Sequence, residues 1–364
     1  MSEAARFRVT QSTRTSQVAA IVALAGIVVL AAVPWWGGRS EMLLLGQIFA
    51  YLALASLWNL LAGFTGLVSI GQQAYVGFGG YMLFAFAIFA GINPLLTIPI
   101  AGALGALVAI PVGMLVFRLS GAYFAIGTWV VAEVFRLSFA QVSALGGGSG
   151  NSLPAHVVRG MAPDRDMRDM LIYWAALAIA LAVIGFVYAI LRSRQGLALT
   201  AIRDSEPASE SLGVNIWRTK FIVYVLSAGA TAMVGALIFL QKLRISPDAA
   251  FSVNDWTAYV IFITVIGGIG RIEGPLIGTV VYFLLRELLS DLGPVYLMIL
   301  GAVAIVVMLR APRGIWGFVV ERYGIELFPV QRRLHLEGAG GSPGMRRTGA
   351  SAAGADAASP AKPE

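Results

Sequence analysis

Few side chains in this sequence could perform metal or nucleotide chemistry. The histidines are His156 and His335, they are far apart, and the chain has no cysteine. No H-E-x-x-H motif or thiolate set is present, so the sequence predicts neither a metal centre nor a hydrolytic one. The lysines Lys220, Lys242 and Lys362 do not follow a glycine, which excludes a G-x-x-x-x-G-K-[ST] phosphate loop.

A charged polar loop, residues 192–220, separates two apolar runs. Ser205 is a typical N-cap, Glu206 and Pro207 suit a first helical turn, and Gly213 suits a left-handed stop. The pattern predicts a helix of about two turns over 206–212. A helix this short is marginal in isolation, so we expect contacts with its surroundings to stabilise it.

Acidic side chains at membrane depth would be the sign of an ion-coupled transporter. The apolar runs contain Glu133, three residues before Arg136, and Glu287, beside Arg286. Residues three apart share a helix face, so we interpret these pairs as local charge neutralisation rather than a proton relay.

The composition explains why polar chemistry is scarce. Of 364 residues, 58% are hydrophobic and 12% are charged, whereas soluble domains have about 25% charged residues. The net charge of +7 comes from cations between apolar runs. These cations are expected to set membrane topology rather than to bind nucleic acid.

Apolar runs long enough to cross a bilayer predict an all-α, polytopic integral membrane helical bundle of about ten spans. The predicted spans are 18–33, 42–62, 67–90, 94–117, 121–140, 171–191, 221–240, 256–268, 275–289 and 294–309. The run 256–268 is short and could cross fully or be re-entrant. With the amino terminus in the cytoplasm, most arginines and lysines between spans lie inside, and both termini are cytoplasmic.

This topology divides the chain into a short cytoplasmic N-terminal tail (1–17), a transmembrane domain (18–320) and a cytoplasmic C-terminal tail (321–364). The polar loop 192–220 is cytoplasmic, and the loop 141–170 is on the outer side. Most of the C-terminal tail consists of Gly, Ala, Ser and Pro, a composition typical of disorder.

Glycine clusters interrupt the apolar pattern at similar places in the two halves of the transmembrane domain, 63–80 and 267–278. Matched interruptions indicate an internal repeat with broken helices. Small and neutral polar residues at these breaks are candidates for a translocation path or, alternatively, for hydrogen bonds between helices. They are Thr65, Gly66, Ser69, Gln72, Gln73, Thr264, Gly267 and Gly268.

Four motifs, taken in order, resemble the permeases of bacterial branched-chain amino-acid ABC importers. They are AIRDSEPASESLGVN (201–215), NLLAGFTGLVSIGQ (59–72), SGAYFAIGT (120–128) followed by Glu133, and SPD (246–248) leading to GGIG (267–270) and Gly274-Pro275. The resemblance covers roughly residues 40–318. It implies a permease of the bacterial inner membrane that works by alternating access and has no ATPase site or cofactor of its own.

The resemblance also implies partners. These are two ATP-binding subunits that bind the ATP, a second homologous permease subunit, and an external substrate-binding protein. The helix from Glu206 to Gly213 would be the coupling helix that contacts the ATPase. The expected coupling residues are Arg203, Asp204, Glu206, Glu210, Leu212 and Gly213.

The substrate stays open at this point, because the same family includes importers of urea and short-chain amides. A stand-alone secondary transporter is the alternative from a different class. It would transport without any ATPase.

Overall fold

A computed structural model describes residues 6–10, 14–162, 164–289, 295–311, 313–323 and 333–337. The chain divides into two units. The smaller unit, residues 1–11 and 331–364, contains β1 (Arg6–Thr10) paired antiparallel with β4 (Arg333–Glu337). Most of the predicted disordered tail lies outside the described residues.

The larger unit, residues 12–330, is helical almost throughout its described part. Its α-helices are α1 Arg14–Ala32, α2 Arg39–Asn59, α3 Gln72–Phe89, α4 Pro94–Val116, α5 Ala122–Ala140, α6 Ala155–Arg159, α7 Arg165–Arg192, α8 Arg194–Asp204, α9 Glu206–Ser211, α10 Ile216–Lys242, α11 Pro247–Ala250, α12 Tyr259–Gly267, α13 Glu273–Leu289, α14 Val295–Arg310 and α15 Gly314–Tyr323. Five-residue π-helical turns occupy Leu60–Phe64 and Asn254–Ala258. The fold is the predicted all-α polytopic type.

In the described part of the chain, eight helical segments are long and apolar enough to cross a membrane. They are Val18–Trp35, Arg39–Phe64, Pro94–Val116, Ala122–Ala140, Arg165–Arg192, Ile216–Lys242, Pro247–Gly267 and Met298–Val320. The remaining two predicted spans coincide with the helices α3 and α13. The short run at 256–268 belongs to a longer segment of 21 residues, which is enough to cross.

One predicted span begins too early. Residues 67–71 were expected to be helical, but the chain is irregular from Gly66 to Gly71 and α3 starts only at Gln72. Hydropathy could not reveal this break, because Leu67, Val68 and Ile70 are apolar. Gly66 has a φ of 72°, which reverses the chain after the π-helical turn.

Small residues allow α10 to pack closely against α3 and α4. A Cβ atom at Gly79 of α3 would lie 1.9 Å from the carbonyl oxygen of Ala232, and one at Gly235 of α10 would lie 2.2 Å from that of Val76. Neither position has room for a side chain, because backbone occupies the space. Such contacts between small residues are a usual way to pack helices in lipid.

The helix α1 lies at the edge of this unit and leaves most of its apolar surface exposed, as expected for a lipid-facing helix. Two side chains of α7 hold its carboxyl end. The Tyr173 hydroxyl donates to the Leu30 carbonyl at 2.6 Å, and the Trp174 indole donates to the Ala31 carbonyl at 3.1 Å.

The described part of the loop 141–170 forms short elements. It contains α6 and the two-residue strand β2 (Asn151–Ser152), which pairs with β3 (Arg244–Ile245) after α10.

Candidate functional site

The polar loop folds into two consecutive helices, α8 and α9. As the sequence predicts, Ser205 caps α9: its hydroxyl accepts from the Ala208 amide at 3.4 Å. Gly213 ends the turn with a φ of 82°, and its amide donates to the Glu210 carbonyl at 2.9 Å. The Val214 amide donates to the Ser209 carbonyl at 3.1 Å, which completes the helix end. The helix α8 before it was not predicted.

The helix α9 buries one side chain and leaves the others exposed. Ser209 is buried, and its hydroxyl donates to the Ser205 carbonyl at 2.9 Å. On the open face, Glu210 is exposed and Leu212 is 81% exposed. Leu212 thus exposes a large apolar side chain in a charged loop rather than in a lipid-facing helix.

An ion pair joins α9 to the long helix α10. Nζ of Lys220 lies 2.5 Å from Oε1 of Glu206. The Lys220 side chain is only 11% exposed, whereas that of Glu206 is 54% exposed. Because a buried ammonium is costly without a counter-charge, Lys220 depends on Glu206 more than Glu206 depends on Lys220. The ion pair therefore links α9 to the beginning of α10.

Arg203, at the end of α8, reaches the opposite way and contacts the transmembrane helices. Its Nη1 atom donates to the Gly63 carbonyl at 3.3 Å, and its Nε atom pairs with Asp204 at 3.4 Å. Asp204 itself is largely exposed. Of the six expected coupling residues, Arg203 and Glu206 bind the chain's own helices, and Asp204, Glu210, Leu212 and Gly213 are exposed.

The two predicted breaks meet at the point that Arg203 contacts. Asn59, buried at the end of α2, donates from Nδ2 to the Arg271 carbonyl at 2.7 Å and accepts from the Gly270 amide at 2.8 Å. Gly63 lies against Gly270 so closely that a Cβ atom on Gly63 would be 2.5 Å from the Gly270 nitrogen. We call Asn59, Gly63, Gly270 and Arg271 the glycine junction. It joins the two halves of the transmembrane domain beside α8.

Protein groups satisfy the irregular backbone of the first break. The Thr65 hydroxyl donates to the Leu61 carbonyl at 2.5 Å, the Trp58 indole donates to the Ser69 carbonyl at 2.9 Å, and the Ile70 amide donates to the Thr128 hydroxyl at 3.1 Å. Non-helical backbone is stable at membrane depth only when it is paired in this way. Thr65 and Ser69, two path candidates, are buried and take part in this structure.

The other polar path candidates also bond between helices. Gln72 donates to the Leu54 carbonyl at 3.0 Å, Gln73 accepts from the Thr257 hydroxyl, and the Thr264 hydroxyl contacts the carbonyls of Val260 and Ala55. Among the described residues, Oε1 of Gln72 and Nε2 of Gln73 have no hydrogen-bond partner although both are buried.

The glycine path candidates serve the backbone in different ways. A Cβ atom at Gly267 would lie 1.8 Å from the Gly274 carbonyl oxygen, so Gly267 allows α12 and α13 to pack. Gly268, with a φ of 129°, ends α12, and Gly66 has open space around it.

The Glu133–Arg136 pair forms as predicted. Nε of Arg136 donates to both carboxylate oxygens of Glu133, at 2.9 and 3.0 Å, and Nη1 of Arg136 donates to Asp248 at 2.8 Å. Asp248 belongs to the SPD motif, so this contact joins two of the recognised motifs. At the other predicted pair, Arg286 donates to Gln47 at 3.4 Å.

Sequence reasoning missed Asn59, Thr128 and Lys220 as site residues. Asn59 and Thr128 stand inside the motifs, and an amide at the end of an apolar run was a usable signal. Lys220 gave a weaker signal, because it looks like one more cation at the end of a polar loop.

The family model described as "Branched-chain amino acid transport system / permease component" matches residues 40–309. The chain is 24% identical over 314 residues to the high-affinity branched-chain amino acid transport system permease protein LivM of Salmonella typhimurium, covering 80% of this chain and 73% of that protein. It is 24% identical over 308 residues to the probable branched-chain amino acid transport permease protein LivM of Methanocaldococcus jannaschii, covering 74% and 88%.

A shorter match, 29% identical over 121 residues, links the chain to the ribose import permease protein RbsC of Haemophilus influenzae, covering 32% and 38%. No solved structure matches. The matched family segment contains α2 to α13, and with them the glycine junction and both helices of the polar loop. The chain is a multi-pass membrane protein, and it belongs to the branched-chain amino acid transport system permease component family.

Proposed function

We propose that this chain is the membrane-spanning subunit of an ATP-driven importer of branched-chain amino acids in the bacterial inner membrane. Two ATP-binding subunits, a second permease subunit and an external binding protein complete the assembly. The observation that carries the proposal is the double attachment of α8 and α9: one end holds α10 through Glu206 and Lys220, and the other holds the glycine junction through Arg203.

In this proposal the ATPase contacts the exposed face of α9, with Leu212 as its apolar anchor and Asp204 and Glu210 as its polar contacts. When the ATPase moves α9, the displacement reaches α10 and the junction of the two broken helices together. A change between inward-open and outward-open states requires contacts that differ between them. The Arg203–Gly63 bond, at 3.3 Å and half exposed, is weak enough to be exchanged.

The proposed topology has ten spans, with both termini and the polar loop in the cytoplasm. The chain itself is a transport subunit and not an enzyme; ATP binds to the partner subunits.

The test is purification of the tagged chain together with its genomic neighbours, followed by reconstitution in liposomes. We expect an ATPase to co-purify and leucine uptake to require ATP on the side of the polar loop. The chain alone should not accumulate leucine. Accumulation by the chain alone would show that it is a secondary transporter, and uptake of urea or acetamide in place of leucine would contradict the substrate.

A matched pair of variants tests the coupling helix. Gly213 has a φ that proline cannot adopt, so Gly213→Pro should abolish uptake while membrane insertion stays normal. Glu210→Lys should do the same by reversing a charge at the docking face. The control is Arg159→Glu in α6, an exposed charge reversal in the loop 141–170.

A further inference from the structure

A second polar region lies at the opposite end of α2 from the glycine junction. Residues from α2, α10, α13 and the helix around the second π-helical turn line a cavity of about 370 Å³. Its volume falls within the range of small-molecule sites, roughly 300–1,000 Å³. We call this cavity the vestibule; its polar and aromatic lining includes Gln47, Tyr51, Lys242, Asp255, Trp256, Tyr282 and Arg286.

The vestibule contains charges of both signs that do not neutralise one another. No ion pair among the described residues includes Lys242, Asp255 or Arg286. The Lys242 ammonium instead lies 4.7 Å from the centre of the Trp256 ring and 5.6 Å from that of Phe239. Lys242, Asp255 and Arg286 all line the same cavity, so the three charges face a common space.

The floor of the vestibule is aromatic and rigid. Tyr51, Trp256 and Tyr282 are buried, and the ring of Tyr51 lies 5.9 Å from that of Trp256 and 5.6 Å from that of Tyr282. The Trp256 indole donates to the Ala249 carbonyl at 2.7 Å, which fixes the ring plane. Such a surface suits an apolar side chain of limited size.

From this arrangement we propose that the vestibule binds a free zwitterionic α-amino acid with an apolar side chain. Lys242 and Arg286 hold the carboxylate, Asp255 holds the ammonium group, and the floor formed by Tyr51, Trp256 and Tyr282 contacts the side chain. Two cations and one anion suit a ligand whose carboxylate can accept several hydrogen bonds. A neutral sugar or an amide would offer these groups no opposite charge.

This inference rests on the proposed function, because the proposed topology places the vestibule at the outer end of the spans. There the amino acid would be released from the binding protein and would bind on the outer side of the buried rings of Tyr51, Trp256 and Tyr282. The charges recognise the backbone common to all amino acids, so the size of the side chain is the only selective element that the vestibule adds.

The experiment measures binding of radiolabelled L-leucine to the full chain, purified with the subunits that accompany it, in lipid nanodiscs without ATP. Unlabelled competitors are leucine itself, leucinamide, which lacks the carboxylate, and 4-methylpentanoate, which lacks the ammonium group. We expect leucine to bind and each analogue to compete about tenfold less well, since each loses a charged hydrogen bond.

Two variants then test which side chain binds the ammonium group and which binds the carboxylate. Asp255→Asn should weaken leucine binding about tenfold and leave 4-methylpentanoate unchanged, and Lys242→Gln should weaken leucine and leave leucinamide unchanged. The controls are Asp166→Asn and Arg244→Gln, exposed charges that do not line the vestibule. Equal thermal stability of all variants shows that they are folded.

Three outcomes overturn the inference: no leucine binding by the wild-type protein, competition by both analogues as strong as that by unlabelled leucine, or unchanged leucine binding in Asp255→Asn and Lys242→Gln. ATP-driven uptake of leucine in the same preparation separates this test from that of the proposed function. If uptake occurs without vestibule binding, only the site is wrong. If vestibule binding occurs without ATP-driven uptake, only the importer assignment is wrong.

Discussion

The substitution Gly63→Ala tests the close contact at the glycine junction. Helix preference predicts that alanine stabilises the chain at this position, whereas the contact predicts that it destabilises the chain. Gly63 lies in a π-helical turn and has no positive φ, so alanine by itself should favour the helix there by roughly 0.5–1 kcal/mol. However, the new methyl group would lie 2.5 Å from Oδ1 of Asn59 and 2.8 Å from the Gly270 Cα atom. The Gly270 atoms belong to the backbone, and the Asn59 side chain is held by its hydrogen bond with the Gly270 amide, so the two segments would have to separate.

The size of the effect follows from these contacts. Overpacking of a well-filled site costs about 1–3 kcal/mol. Displacing Asn59 also leaves the Gly270 amide without its 2.8 Å bond, at a cost of about 1–3 kcal/mol for a buried donor. After the gain in helix preference is subtracted, we expect a net loss of roughly 1–5 kcal/mol in the free energy of unfolding. The matched control, Gly185→Ala in α7, has open space at the new methyl group and should be neutral or stabilised.

Two measurements test this reasoning. Unfolding of the purified chain by SDS titration gives the stability difference, and the number of leucine molecules transported per ATP hydrolysed by the reconstituted complex gives the coupling. Gly63→Ala should lower both, and Gly185→Ala should lower neither. Equal behaviour of the two variants in both assays would refute the close contact and its role in coupling.

The remaining predictions concern the polar loop and the inter-helix bonds. Glu206→Gln should destabilise the chain by about 1–3 kcal/mol, because it leaves the buried Lys220 ammonium without its counter-charge. Lys220→Met should have a smaller effect, because the Glu206 side chain that it leaves unpaired is more exposed. A larger loss of stability for Lys220→Met in SDS titration would contradict this reasoning. Leu212→Glu should leave the melting temperature unchanged and prevent co-purification of the ATPase, because the side chain is 81% exposed; retention of the ATPase would remove Leu212 from the docking face. Gln73→Leu combined with Thr257→Val should cost less stability than the sum of the single changes, because the two side chains share one bond; additive losses would show that the bond contributes nothing.

Local signals in the sequence were sufficient for the helix caps but not for the contacts between distant segments. Ser205 and Gly213 act on residues within one turn, so their types and spacing predict α9 closely. The charge pair of Glu133 and Arg136 was also predictable, since both lie on one helix face. Hydropathy also predicted eight helical segments of the described chain that are long and apolar enough to cross a membrane.

The glycine junction could not be predicted in the same way. Asn59 and Gly270 are 211 residues apart, and nothing in one sequence states that two breaks will face each other. The contact of Arg203 with Gly63 could not be predicted either, because an arginine in a polar loop can bind a partner protein or a helix of its own chain. Glycine content indicated where the breaks lie, but only the packing shows that they meet.

The π-helical turn Leu60–Phe64 contains one residue more than regular winding would use. Successive residues of a helix are rotated by about 100°, so this extra residue determines the direction in which Gly63 points. Deleting Leu61 would restore regular winding and turn Gly63 away from Gly270, although every residue of the junction would still be present. We therefore expect the insertion or deletion of one residue in this turn to determine whether Gly63 contacts Gly270.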